Sequence, residues 1–225
     1  MKLFLRNQSL SIFFAVIFLA ALIGQAVAGF ASFNADEVAH GSSPVSFDTF
    51  LTSAGFVVDV AENWQSEFLQ FFVFILATVW LVQRGSPESK KPGDEGLGSD
   101  EDQLVGGDAK QNSPSWAKGG GWRLWFYSNS LLIVMGFIFL ASWLVQSLAG
   151  VVVYNAEQRE HDQAAVTWGE YLMSPDFWNR TLQNWQSEFL AVGCMVAFSI
   201  YLRQRGSSES KPVGVPHTET ATEGE

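Results

Sequence analysis

The sequence has a single cysteine, Cys194, so no disulfide can form within the chain and no Cys/His zinc framework can be built. Charge is also scarce. Asp, Glu, Lys and Arg make up 16% of the 225 residues, against about 25% in an ordinary soluble domain. A disordered chain, a collagen-like fibre and a typical soluble enzyme domain are excluded by this balance of low charge and 48% hydrophobic residues. The signatures of common chemistry are missing: there is no nucleophile elbow, Walker loop, dinucleotide fingerprint or H-E-x-x-H. Gly119-Gly120-Gly121 lacks the Lys-Ser/Thr that would make it a phosphate loop, and so reads as linker. A net charge of −10 without a basic stripe argues against nucleic-acid binding. The sequence therefore predicts a non-enzymatic protein with no cofactor and no metal site.

What is present is apolar and aromatic, including nineteen Phe and nine Trp gathered into long runs. Four runs, at about residues 10–30, 64–83, 131–153 and 185–202, have the roughly 20 residues a helix needs to cross a bilayer. Backbone amides find no water in lipid, so these segments are expected as helices. The alternating pattern of a membrane barrel strand is absent. The first run has a rival reading as a secretory signal, because Lys2 and Arg6 precede it and Ala26-Val27-Ala28 stands before Gly29. Retention is favoured, because the third run closes on a similar Gln146-Ser147-Leu148-Ala149-Gly150 in mid-chain.

Orientation follows the basic residues. Lys2 and Arg6 precede the first run. Arg84, Lys90, Lys91, Lys110, Lys118 and Arg123 separate the second from the third, and Arg203, Arg205 and Lys211 follow the fourth. Residues 31–63 carry no Lys or Arg, and residues 154–184 carry only Arg159 and Arg180. Both termini and the central loop are expected in the cytoplasm, in a multi-pass protein of the cell (inner) membrane.

The strongest signal is an internal repeat. Asn63-Trp64-Gln65-Ser66-Glu67-Phe68-Leu69 recurs as Asn184-Trp185-Gln186-Ser187-Glu188-Phe189-Leu190. Gln83-Arg84-Gly85-Ser86 with Glu88-Ser89-Lys90 recurs as Gln204-Arg205-Gly206-Ser207 with Glu209-Ser210-Lys211. One shift of about 121 residues also aligns Gln25 with Gln146, Asn34 with Asn155 and His40 with His161. The expected fold is therefore all-α: four transmembrane helices in two parallel helix–loop–helix copies, related by a pseudo-two-fold axis along the membrane normal. The first copy is placed at residues 1–84 and the second at 122–205. Residues 85–121 form a linker and 206–225 a tail; both are cytoplasmic, rich in Gly, Ser, Pro and charge, and expected to be disordered.

Capping chemistry divides the outer loops. Thr167-Trp168-Gly169-Glu170 is a capping box opening a short helix, with Ser46-Phe47-Asp48-Thr49 as its weaker counterpart. Ser174-Pro175-Asp176 starts another helix, as does Ser53 in the first copy, and each is predicted to run straight into the second span of its copy. With these motifs in view, the paired N-W-x-S-E-F-L and Q-R-G-S-x-E-S-K segments, together with Gly24-Gln25-Ala28-Gly29 at the end of the first span, resemble a bacterial membrane-protein family of unknown function. Span three departs from it in having Val145 where span one has Gly24. That resemblance implies a small multipass protein and supplies no activity, ligand or catalytic residue.

Candidate site residues come from polar groups inside the spans. Counting about 1.5 Å per residue places Glu67 about 25 Å from Arg84, and Gln25 about 28 Å from Arg6, at one level near the outer boundary. Glu188 and Gln146 occupy the same level in the second copy. Three readings follow: an interfacial boundary marker, a structural clamp of Gln25 on Glu67 and Gln146 on Glu188, or a proton- or cation-handling carboxylate. Asn63, Trp64 and Ser66, with Asn184, Trp185 and Ser187, complete the motif. His40 and His161 read either as a metal- or pH-sensing pair or as solvated loop residues. The expected partners are the lipid bilayer, a membrane protein or a second copy of the chain. The function favoured is a scaffold or accessory subunit, and a small proton or cation channel or transporter is the alternative.

Overall fold

A computed structural model describes residues 2–221. The chain is all-helical, 66% helix, with no strand among the described residues. The helices are α1 (Lys2–Asn7), α2 (Ser9–Ala39), α3 (Phe47–Leu51), α4 (Ala54–Trp80), α5 (Asp100–Gln103), α6 (Trp122–Ser128), α7 (Ser130–Glu160), α8 (Trp168–Leu172) and α9 (Pro175–Tyr201). Two of them, α2 and α7, are long and apolar enough to span a membrane. Only 6% of the most apolar stretch of α2 is buried, and 17% of that of α7. Neither is the covered helix of a water-soluble core. Helices α4 and α9 are each 27 residues long, but their first halves carry the polar motif Asn-Trp-Gln-Ser-Glu.

Elements of the second half match those of the first in length: 31 residues for α2 and α7, five for α3 and α8, 27 for α4 and α9. They recur at the offset of the sequence repeat. Local bonding recurs as well. The Asn34 side chain donates to the Val45 carbonyl at 3.2 Å and accepts from its N–H at 2.7 Å, and Asn155 does the same to Val166 at 2.9 and 2.8 Å. Ser53 Oγ accepts from Phe56 N–H at 3.3 Å and Ser174 Oγ from Phe177 N–H at 3.2 Å, capping α4 and α9 where the sequence predicts.

The chain forms two compact units. One comprises Met1–Val60 and Val145–Trp168, the other Ala61–Leu144 and Gly169–Glu225, so each draws on both halves of the chain. In the first unit the buried Phe50 of α3 meets the rings of Phe30, Phe33 and Phe56 at 5.2 to 5.9 Å between centroids. Gly29 makes this possible: a Cβ there would stand 3.0 Å from the Phe50 ring. The second unit holds an aromatic cluster in which Trp143 meets Phe139, Phe177, Trp178 and Trp185 within about 6 Å.

The linker and tail carry local hydrogen bonds. Gln83 N–H donates to Ser89 Oγ at 2.7 Å, and Gln204 N–H to Ser210 Oγ at 2.9 Å. Glycines 85 and 206 supply positive φ, and so the repeated Q-R-G-S-x-E-S-K motif folds into a self-bonded turn after α4 and again after α9. Ser99 and Asp102 form a capping box that opens α5. In the tail Lys211 is buried, and its ammonium donates to the carbonyls of Gly85 (2.6 Å), Glu219 (3.0 Å), Pro216 and His217 (both 3.2 Å). These are side-chain bonds to the backbone, which composition does not reveal. Residues 222–225 of the expected tail lie outside the described residues.

Candidate functional site

The repeated N-W-Q-S-E-F-L segment runs across the middle of α4 and α9. On α4, Ala61, Gln65 and Leu69 are buried at four-residue spacing and define one face. Gln65 is fully buried, and its Oε1 accepts from Trp185 Nε1 of α9 at 2.8 Å, while its Nε2 has no partner. Ser66 Oγ donates to the Asn63 carbonyl at 3.0 Å and Ser187 Oγ to the Asn184 carbonyl at 2.9 Å, so both serines are turned back onto their own helices. Asn184 Nδ2 donates to the Arg180 carbonyl at 3.0 Å. Trp64 is partly exposed.

Glu67 is exposed and Glu188 half-buried, and the two carboxylates lie within electrostatic range of each other. Gln25 is exposed on α2 and makes no side-chain hydrogen bond among the described residues. Gln146 is buried on α7, with both amide atoms unpartnered. On α4, residues two apart differ by about 200° in direction, so the face that puts Gln65 on α9 turns Glu67 away from it. His40 Nδ1 lies 2.8 Å from the Asp36 carbonyl of its own helix, and His161 is exposed. Among the described residues, no three His, Cys, Asp or Glu side chains are placed to hold a metal ion.

A polar network next to this motif escaped the sequence reading. Arg180 of α9 reaches Glu62 of α4 at 3.2 Å and Asp176, one turn back on its own helix, at 3.4 Å. Tyr171, wholly buried, donates its hydroxyl to Asp176 at 3.3 Å. Burial pushes the Tyr171 hydroxyl well above its ordinary pKa, and the Asp176 carboxylate adds to the shift. Burial alone would lower the pKa of Arg180, but Glu62 and Asp176 outweigh it and hold the guanidinium above its usual value. The four-residue spacing of Asp176 and Arg180 was the available sequence signal. No pattern in the sequence pointed to Glu62.

The decisive comparison concerns the whole chain. The model of a domain of unknown function, DUF6766, matches residues 1–222. The chain belongs to the DUF6766 family. No curated protein and no solved structure matches it. For this DUF6766 protein the α4–α9 contact is thus the best-defined polar site: one amide–indole bond, one ion pair across the two helices, and two carboxylates nearby.

Proposed function

We propose that this DUF6766 protein is a four-span membrane protein of the cell (inner) membrane, built from two parallel tandem copies, that works as a non-enzymatic scaffold or accessory subunit. The observation that carries the reading is the apolar length of α2 and α7 left uncovered by protein. Large side chains such as Phe13, Phe14, Ile23, Phe137 and Leu140 are exposed along these helices, a surface that water does not tolerate and lipid does. α4 and α9 complete the four spans, with their polar first halves toward the outer boundary and the Q-R-G-S turns in the cytoplasm. The equal element lengths and recurring Asn and Ser bonds support the duplication. The bilayer is one partner; a second membrane protein or another copy of the chain is the other, with no role for nucleic acid, cofactor or metal.

The scaffold reading is favoured because the buried polar groups on α4 and α9, such as Gln65, Ser66 and Ser199, make bonds within and between elements of the protein instead of lining a path at successive depths. A second reading has its own observation: Glu67 and Glu188 are matched in the repeat and each feels the other's charge, as proton- or cation-handling carboxylates within a span would. Purified protein in liposomes separates the two. A scaffold gives proton and cation flux no faster than empty vesicles. Flux that is present in the parent and lost in the Glu67→Gln/Glu188→Gln variant, with assembly intact, moves the assignment to transport.

A further inference from the structure

The ion pair of Arg180 with Glu62 joins residues that the repeat does not make equivalent. At the repeat offset Arg180 aligns with Asp59, and Glu62 aligns with Gln183. The register of the contact is fixed independently by Trp185 on Gln65 and, near the other ends of the helices, by Ser86 Oγ against Ser199 Oγ at 3.3 Å. Exchanging one half for the other in this register changes the charges at the contact. Two first halves would set an aspartate, in place of Arg180, against Glu62, a like-charge contact on both sides of the axis. Two second halves would set Arg180 against Gln183 and leave the guanidinium without its partner across the helices. Only first with second gives an attractive pair.

We infer that Arg180 and Glu62 form a pairing code, which makes the α4 and α9 surfaces associate with each other in preference to their own kind. The inference rests on the tandem-copy reading proposed above and names the partner of each surface: the unlike half of the same chain. The surroundings suit such a code. The Glu62 side chain is 14% exposed and that of Arg180 31%, so the pair is partly desolvated, and Asp176, itself bonded by the Tyr171 hydroxyl, holds the guanidinium in place. Charge complementarity at a partly buried contact selects partners more strongly than it adds affinity.

Full-length chains test this. Glu62→Arg gives a chain with two cations at the contact, and Arg180→Glu a chain with two anions. Each is expected to melt several degrees below the parent in detergent. The double reversal Glu62→Arg/Arg180→Glu in one chain is expected to recover most of the loss, which also shows that the single variants are not simply misfolded. When the two single variants, with different tags, are made in one cell, the surfaces of one chain complement those of the other. Co-capture should then rise several-fold above parent with parent, or either variant with itself. Equal co-capture in all combinations, or a double reversal that melts as low as the sum of the single losses, overturns the code. Neither outcome bears on the number of spans, which topology reporters read separately.

Discussion

The two asparagine clasps provide a quantitative test of the outer loops. Asn34 holds Val45 with two hydrogen bonds, at 3.2 and 2.7 Å, and is half-buried. A net value of about 0.5–1.5 kcal/mol per bond gives about 1–3 kcal/mol for the clasp. Asn34→Ala should lower the free energy of local opening by that amount, which is roughly a 5- to 150-fold faster hydrogen exchange at the Val45 amide. Asn34→Asp keeps the acceptor for the Val45 N–H and loses only the donor to its carbonyl, so protection at Val45 should largely survive. Asn155→Ala should act in the same way on Val166, where the distances are 2.9 and 2.8 Å. The two sites share no partner, and so each change should leave the other clasp untouched. Hydrogen exchange read by mass spectrometry on overlapping peptides resolves both loops. Unchanged exchange at Val45 in Asn34→Ala, or loss at Val166 in that variant, would refute the reasoning.

Tyr171→Phe removes a group whose folded pKa is raised above its ordinary value of 10.0. The stability it contributes is fully present below pH 10 and is lost as pH rises through the higher folded value, because the unfolded hydroxyl ionises first. The parent should therefore lose melting temperature between pH 10 and 12 more steeply than Tyr171→Phe, and parallel curves would contradict the assignment. Gly85→Ala meets two obstacles: φ is +90°, and the added Cβ would stand 2.3 Å from the His217 carbonyl oxygen. It should loosen the tail, exposing the Lys211 region to limited proteolysis, whereas Gly24→Ala, with nothing within 4 Å, should not.

The helix starts were legible because their chemistry is local. Ser53 and Ser174 announced α4 and α9, and Thr167 to Glu170 announced α8, since a cap needs only neighbours in sequence. The direction of the site residues was not legible: only the packing shows that Gln65, not Glu67, is turned onto α9. Arg180 with Glu62 joins positions far apart in the chain, and no local pattern encodes it. In the tail Lys211 finds carbonyls, including that of Gly85, and composition alone does not reveal such partners.

The central claim is the four-span topology with both ends inside, and reporter fusions measure it directly. Fusions at Asp100 and after Tyr201 should report the cytoplasm, and fusions at Ser43 and at Gln163 the opposite side. A reporter at Asp100 on the same side as one at Ser43 would contradict the account.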